Sequence, residues 1–173
     1  MMTLNTGGKA WVFGDDVDTD VLAPGIYMKG PFEELARHCL ESINPDFASD
    51  VAQGDVIVAG ANFGIGSSRE QAAQALKHLG VSTLVAKSFG GIFFRNALNF
   101  GMVAVVSADV DRIAPGDKIT VDAAAGRIHN ITQDETYACD ALPPQLLAMV
   151  QDGGLVSHLE KKLTLSDNKD VGS

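Results

Sequence analysis

The residues of this chain whose types and spacing could do chemistry lie in one glycine-rich segment, residues 60–70. The segment reads Gly-Ala-Asn-Phe-Gly-Ile-Gly-Ser-Ser-Arg-Glu, and its polar end contains Ser67, Ser68 and Arg69. Three closely spaced glycines let the backbone turn sharply and approach a ligand. The arginine offers a fork of donors that suits a carboxylate or a phosphate. The segment therefore predicts an anion-binding site that contains a hydroxyl group.

The same residues also allow a purely structural interpretation. Ser67 with Glu70, and Ser68 with Gln71, have the spacing of a capping box, in which a serine bonds to the free N–H groups of a helix N-terminus. In either interpretation the serines and Arg69 are predicted to lie in the first turn of a helix. There the free N–H groups and the positive end of the helix dipole favour an anion.

Two glycine-rich nucleotide-binding motifs are excluded by the spacing of this segment. A Walker A loop requires a lysine directly after its last glycine, but Ser67 follows Gly66. A dinucleotide fingerprint that begins at Gly64 requires a third glycine at the position of Arg69. The predicted anion is therefore a small carboxylate.

Strands and helices must hold the segment in place, and the hydrophobic pattern predicts two successive strand–turn–helix units. An apolar strand at 55–59 precedes the segment, and a helix follows it as far as Leu79. A strand at 83–86 leads to a second helix at 92–99, and a buried strand follows at 102–106. This order predicts an α/β core with parallel strands.

The rest of the chain is predicted to surround this core. A first strand, an early helix, a β-hairpin and two C-terminal helices are expected at 10–13, 31–40, 118–131, 144–150 and 155–162. We therefore expect one domain over residues 1–163 and a disordered tail at 164–173.

The charge and the cysteine content of the chain limit the partners and the metal sites that it can have. The 173 residues carry a net charge of −9, which argues against nucleic acid or an anionic membrane as a partner. No apolar run is long enough to span a membrane, and residues 1–8 lack a signal-peptide core, so we expect a cytoplasmic protein. Cys39 and Cys139 form neither a disulfide framework nor a zinc or iron–sulfur motif, so we expect no metal bound by this chain.

Four aspartates follow the first predicted strand, at Asp15, Asp16, Asp18 and Asp20. A calcium-binding EF-hand loop that begins at Asp16 would need glycine and glutamate at the positions of Val21 and Tyr27. Acidic residues after a strand are also typical of turns, where carboxylates accept hydrogen bonds from backbone N–H groups. The mismatch favours the turn interpretation.

Three segments in order resemble the swivel domain of the aconitase superfamily, in particular the small subunits of 3-isopropylmalate dehydratase and of homoaconitase-like enzymes. They are residues 14–25 with Asp-Thr-Asp, 62–70 with Gly-Ser-Ser-Arg-Glu, and 87–101 with Phe-Phe-Arg-Asn. The resemblance covers about residues 9–163. It implies an α/β fold of the three-layer β/β/α swivelling type.

The resemblance also implies an activity, a partner and a cofactor. The activity is that of a hydro-lyase that isomerises or hydrates a hydroxy di- or tricarboxylate, in the first place 3-isopropylmalate in leucine biosynthesis. Such an enzyme works only as a complex with a large subunit. The large subunit would supply a [4Fe–4S] cluster, because two cysteines cannot bind one through the usual three or four thiolates.

Individual residues take roles by the same resemblance. Ser67 would abstract the proton next to a substrate carboxylate, and Arg69 would stabilise its alkoxide and orient that carboxylate. The residues expected to bind substrate are Gly66, Ser68, Lys29 and Arg95. The residues expected to anchor loops or the subunit interface are Asp18, Thr19, Asn62 and Asn96.

Several alternatives stay open at this point. The family usually has cysteine, histidine and arginine where this chain has Ile65, Gln71 and Gly91, which keeps open a non-catalytic carboxylate-binding or regulatory protein of the same fold. Lys29 lies in the loop that discriminates substrates in the family. Its position is also compatible with an ordinary solvent-exposed lysine that binds nothing. A related hydratase of the homoaconitase, citramalate or dimethylmalate type therefore stays open as an alternative.

Overall fold

A computed structural model describes the backbone of residues 7–170 and the side chains of residues 7–166. The strands in this part of the chain are β1 (Gly8–Val12), β2 (Val56–Ala59), β3 (Thr83–Ala86), β4 (Val103–Val106), β5 (Lys118–Asp122), β6 (Arg127–Asn130) and β7 (Glu135–Ala138). They form one mixed sheet in the order β4-β3-β2-β1-β5-β6-β7. The first four strands in this order are parallel, whereas β5 pairs antiparallel with β1 and continues into an antiparallel meander.

Helices form a layer on one face of the parallel strands. They are α1 (Thr19–Leu22), α2 (Phe32–Arg37), α3 (Phe47–Asp50), α4 (Glu70–His78), α5 (Gly91–Asn99), α6 (Pro144–Gln151) and α7 (Leu155–Asp170). The crossovers through α4 and α5 both step outward along the sheet, so right-handed connections put both helices on the same face. Among the described residues, no helix is both long and apolar enough to cross a membrane.

The antiparallel strands cover the other face. Strands β2 and β3 are buried along their whole length, which is typical of strands that pack on both faces. The two ends of the sheet meet, because the Ser107 hydroxyl donates to the Ala138 carbonyl at 2.7 Å and the Asp140 N–H donates to the Val106 carbonyl at 2.8 Å. The predicted α/β fold with three β/β/α layers is confirmed.

Three local predictions were wrong. The helix predicted at 31–40 ends at Arg37, and the chain then turns through Leu40, which has a left-handed φ of 63°. The short strand β7 was missed because its polar sequence carries little strand signal. Helix α7, expected to end at Lys162, continues to Asp170, and residues 171–173 lie outside the described part.

Candidate active site

The glycine-rich segment follows β2 and lies beside the loop that follows β1. The carboxyl ends of neighbouring parallel strands share one edge of the sheet, so the loops that follow them come together there. The Gly64 N–H donates to the Val17 carbonyl at 2.6 Å, and the Thr19 N–H donates to the Ile65 carbonyl at 2.8 Å. These bonds join the middle of the segment to the loop after β1.

The loop after β3 flanks the segment on its other side. The Phe63 N–H donates to the Ser88 carbonyl at 3.0 Å, and the Gly90 N–H donates to the Phe63 carbonyl at 2.9 Å. Asn62 touches both flanking loops, because its backbone N–H donates to the Ser88 hydroxyl at 2.8 Å and its side-chain amide donates to Asp16 at 2.9 Å. Asn62 therefore joins the loops that follow β1, β2 and β3.

Two glycines of the segment lie where a side chain would be strained. Gly64 has a φ of 81°, and a Cβ atom there would overlap the ring of Phe93 on α5. Gly66 has a φ of 112°, and a Cβ atom there would lie 3.0 Å from the Thr19 hydroxyl. The glycines thus let the segment approach both α5 and the loop after β1.

Neither serine of the segment caps a helix. Helix α4 begins at Glu70, and its N-cap residue, Arg69, makes no capping bond through its side chain. Ser67 and Ser68 precede the helix and are exposed, so their predicted place in its first turn was wrong. The bonds to the loop after β1 hold Gly64 and Ile65 beside that loop, and the serines lie in the turn between strand and helix.

A cleft of about 170 Å³ opens beside Ser67. Its lining residues come from the segment and from the start of α5: Gly64, Ile65, Gly66, Ser67, Gly90, Gly91 and Ile92. The first N–H groups of a helix have no partner within the helix, and they favour a negative charge. The helix N-terminus that shares a cleft with Ser67 is therefore that of α5, rather than that of α4 as the sequence suggested.

The hydroxyl of Ser67 has one close polar neighbour among the described residues. The Thr19 hydroxyl lies 3.3 Å from it, and Thr19 as a residue is 3% exposed. Asp18 accepts a hydrogen bond from the Val21 N–H at 2.9 Å and so caps α1, the helix in which Thr19 is the first residue. By capping α1, Asp18 thereby holds Thr19 in place, with its hydroxyl beside that of Ser67.

Arg69 is held at the edge of this region by an aspartate from the loop after β1. Its Nη1 atom donates to Asp20 Oδ1 at 2.7 Å and to the Ala23 carbonyl at 3.0 Å. The same oxygen of Asp20 accepts a bond from the Gly25 N–H at 3.0 Å. The hydrogen bond from Arg69, and next the bond from Gly25, lower the pKa of Asp20.

The partner of Arg69 could not be found from the sequence. Asp20 lies 49 positions before it and was assigned only to the group of turn-forming aspartates. Since both bonds of the guanidinium use Nη1, its Nε and Nη2 atoms have no hydrogen-bond partner among the described residues. That edge can bind a carboxylate through two donors.

The other aspartates of the cluster brace the turns separately. Asp15 accepts from the Ala61 N–H at 2.7 Å, Asp16 accepts from Asn62, and Asp18 caps α1. Within residues 7–170 no group of three or more His, Cys, Asp or Glu side chains is placed to hold a metal ion. Their geometry agrees with the turn interpretation rather than with a calcium loop.

The remaining predicted site residues lie outside the lining of the cleft. Lys29 is exposed and follows a short 3₁₀ turn at Gly25–Tyr27, whose Tyr27 ring stacks on His38 at 3.7 Å between centroids. Arg95 is exposed on α5, one helical turn beyond the first residues of that helix. Asn96 is half-buried and lines a separate groove between α5 and α7.

Known proteins share both the sequence and the shape of this chain. The model of the aconitase C-terminal domain family matches residues 40–109. The methanogen homoaconitase small subunit of Methanothermobacter thermautotrophicus is 46% identical over 95% of this chain and 96% of its own length. The 3-isopropylmalate dehydratase small subunit of Methanosarcina acetivorans is 49% identical over 89% of this chain and 96% of its own length.

The backbone agrees with a solved structure as well. The crystal structure of 3-isopropylmalate dehydratase from Methanocaldococcus jannaschii superposes with a TM-score of 0.88 at 41% identity, covering 94% of this chain and 98% of that one. The predicted resemblance is thereby confirmed. The chain belongs to the aconitase-type small-subunit family that includes those of 3-isopropylmalate dehydratase and methanogen homoaconitase.

Proposed function

We propose that this chain is the small subunit of a two-subunit hydro-lyase, in the first place a cytoplasmic 3-isopropylmalate dehydratase of leucine biosynthesis. The names and the near-complete coverage of its relatives support this assignment. The single observation that carries the chemistry is the exposed Ser67 hydroxyl in a cleft that also contains the first residues of α5.

In this proposal Ser67 moves the proton. Its Oγ atom takes the proton from the carbon next to a substrate carboxylate during dehydration and returns a proton during hydration. A serine is a very weak acid, so its alkoxide needs strong stabilisation. The free N–H groups at the start of α5 and the Thr19 hydroxyl, 3.3 Å away, can supply hydrogen bonds to it.

Arg69 would orient the substrate in the same proposal. Asp20 and the Ala23 carbonyl both hold its Nη1 atom, which leaves Nε and Nη2 for a carboxylate of the substrate. A bidentate pair of this kind fixes both the position and the orientation of the carboxylate. The positive charge of Arg69 also favours an alkoxide at Ser67.

The residues of this chain do not fit a [4Fe–4S] cluster. Cys39 is fully buried in the core and Cys139 is half-buried, and no metal-holding cluster occurs within residues 7–170. Burial raises the pKa of Cys39, and burial with two nearby aspartates raises the pKa of Cys139 to about 11, so both thiols stay protonated at neutral pH. We therefore assign the cluster to the large subunit and no step through it to this chain.

A second candidate is the closely related homoaconitase activity. The 46% identity to the methanogen homoaconitase small subunit supports it, because that relative matches this chain over almost its whole length. Lys29 fits this candidate as a point charge for an additional carboxylate of a tricarboxylate substrate. The two candidates share Ser67 and Arg69 and differ only in the group that Lys29 would meet.

One experiment tests the function and the role of Ser67 together. The chain is co-expressed with its cluster-bearing large subunit, and hydratase activity is measured anaerobically over a panel of hydroxy di- and tricarboxylates. Ser67→Ala should lower kcat at least about 100-fold, because the proton-transfer group is removed. The melting temperature should barely change, since Ser67 is exposed and caps no helix.

Ser42→Ala is the matched control, because it removes another exposed serine hydroxyl outside the cleft. It should leave both kcat and the melting temperature unchanged. Near-normal turnover of Ser67→Ala would contradict the assignment of Ser67 as the base. Absence of turnover by the wild-type complex on every hydroxy acid would contradict the proposed function itself.

A further inference from the structure

Helix α7 presents an apolar face to solvent. The exposed side chains are Leu155, Val156, Leu159 and Leu163. At 100° per residue these four positions lie within one stripe about 100° wide along the helix. Val156 is 69% exposed and Leu163 is 66% exposed, so the stripe is uncovered along the described length of the helix. Exposed apolar side chains that line up in this way mark an interaction surface.

The stripe ends in a groove of about 300 Å³ at the first turn of α7. Leu155 and Val156 of α7 line it together with Asn96 of α5 and with Phe100, which directly follows that helix. Glu70, the first residue of α4, also lines the groove. An apolar ridge or helix can insert into such a groove, while the polar residues and the carboxylate provide contacts at its rim.

The body of the protein holds α7 in place, so the surface is already formed. Asp152 accepts from His158 at 2.7 Å and from Lys161 at 3.0 Å, which ties the end of α6 to the first two turns of α7. At Gly154, just before α7, a Cβ atom would overlap the carbonyl oxygen of Asn99. A fixed surface binds a partner without an added ordering cost.

The α7 groove and the Ser67 cleft lie next to each other on one surface. Ile92 lines the cleft and Asn96 lines the groove, and both belong to α5. Four residues span about 6 Å along a helix, and residues four apart share a face. Glu70 of the groove also follows Arg69 directly in the chain.

We infer that the α7 groove and its apolar stripe dock the large subunit of the proposed enzyme, an inference that rests on the proposed function. A typical stable interface buries about 800 Å² per partner, equivalent to a disc of roughly 16 Å radius. An interface centred on the Ser67 cleft therefore extends across the groove. The large subunit presents apolar side chains to the stripe and a basic group to Glu70, which suits a chain of net charge −9.

Two substitutions on the stripe test the inference against a control on the same helix. Val156→Asp and Leu159→Asp should each raise the Kd for the large subunit at least tenfold, because a charge would be buried in an apolar contact. Leu165→Asp changes a side chain that is also exposed but lies about 130° round the helix from the centre of the stripe. It should change the Kd less than twofold.

The measurement is sedimentation velocity of this chain with its large subunit, with thermal melts to confirm that each variant is folded. At saturating large subunit Val156→Asp should recover the wild-type kcat, because Val156 does not line the Ser67 cleft. An unchanged Kd in both stripe variants overturns the docking surface and leaves the proposed function standing. If Val156→Asp instead dissolves a dimer of this chain without changing the Kd, the surface belongs to a second copy and the inference is wrong.

The reverse case, in which the function fails and the docking surface stands, is a complex that forms but turns over no hydroxy acid. It contradicts the proposed activity, while a raised Kd in the stripe variants still supports the docking surface. The two failures are therefore distinguishable.

Discussion

Asp20 connects the loop after β1 to the side chain of Arg69. One carboxylate oxygen accepts bonds from both the Arg69 guanidinium and the Gly25 N–H. The bond fixes the guanidinium by its Nη1 atom and leaves the Nε and Nη2 atoms for the proposed contact with a carboxylate. It also connects Arg69 to the turn that precedes Lys29. The position of Arg69 and that of the turn before Lys29 therefore both depend on Asp20.

Replacing Asp20 should weaken substrate binding through Arg69. Asp20→Ala in the assembled enzyme should raise KM about tenfold for every hydroxy acid, because a misplaced guanidinium loses part of a charge-assisted contact. The measurement is steady-state kinetics over the substrate panel. In an Arg69→Lys background the same change should have little further effect, since the residue through which Asp20 acts has been altered.

Asp111→Ala is the control for this prediction. It removes an exposed carboxylate that pairs at the same 2.7 Å distance with Lys87 rather than with Arg69. Its KM should match that of the wild type. Additive effects of Asp20→Ala and Arg69→Lys would refute the coupling between the two residues.

Lys29 is predicted to discriminate between substrates. It is exposed and carries the positive charge of the loop at 26–30. Lys29→Ala should lower kcat/KM for a tricarboxylate about 10- to 150-fold and spare a branched dicarboxylate such as isopropylmalate, because a single charge-assisted contact is lost. Arg69→Lys should damage all substrates alike. Equal effects of Lys29→Ala on all substrates would contradict the discriminating role of this lysine.

At the scale of elements, the packing of α5 against the glycine-rich segment shapes the cleft. The rings of Phe63, Phe89 and Phe93 contact one another, with 5.3 Å between the centroids of Phe63 and Phe93. These rings join the segment and the loop after β3 to α5. Because Gly64 has no side chain, α5 comes close enough for its first residues to line the cleft with Ser67.

Adding a methyl group at Gly64 should disrupt this packing. Gly64→Ala would combine a positive φ with an overlap against Phe93, and it should cost about 2 kcal/mol or more of stability and most of the turnover. Gly91→Ala is the matched control at the start of α5, because its Cβ atom would meet nothing within 4 Å. It should be neutral or stabilising by up to about 1 kcal/mol. Thermal melts of both variants measure these stability changes. An unchanged melting temperature for Gly64→Ala would contradict the proposed packing of α5 against Gly64.

At the scale of the whole molecule, the fold brings together the residues of the proposed active site that belong to this chain. Loops that follow β1, β2 and β3 converge at one edge of the sheet and place Ser67 beside Thr19 and the start of α5. The cysteines lie elsewhere, in the core and at the end of β7. This separation is the physical basis for assigning the cluster to a partner subunit.

The isolated chain should therefore be colourless and inactive. Anaerobically purified protein should contain no stoichiometric iron or sulfide, because its two thiols are shielded and far apart in the sequence. Elemental analysis and the visible absorption spectrum check this. Adding the large subunit should restore turnover. A stoichiometric cluster on this chain alone would refute the two-subunit assignment.

The sequence by itself determined the local chemistry and the order of elements. The glycine-rich segment, the following helix and the repeated strand–turn–helix pattern depend on neighbouring residues, so periodicity and residue type were sufficient to predict them. The three ordered segments also identified the family, which the similarity to known small subunits confirmed. Strand β7 and the full length of α7 were not predicted from the sequence, because polar, exposed elements have little hydrophobic periodicity.

Only the tertiary structure decided how these parts meet. In the structure, α4 begins at Glu70 rather than at the serines, and the N-terminus of α5 lies at the Ser67 cleft. The structure also pairs Arg69 with Asp20 across 49 positions. Such contacts depend on the strand order and on hydrogen bonds between separate loops, which no local spacing encodes. The physical reason is that local propensities act over one or two turns of chain, whereas the site is assembled by the packing of three strands and the loops that follow them.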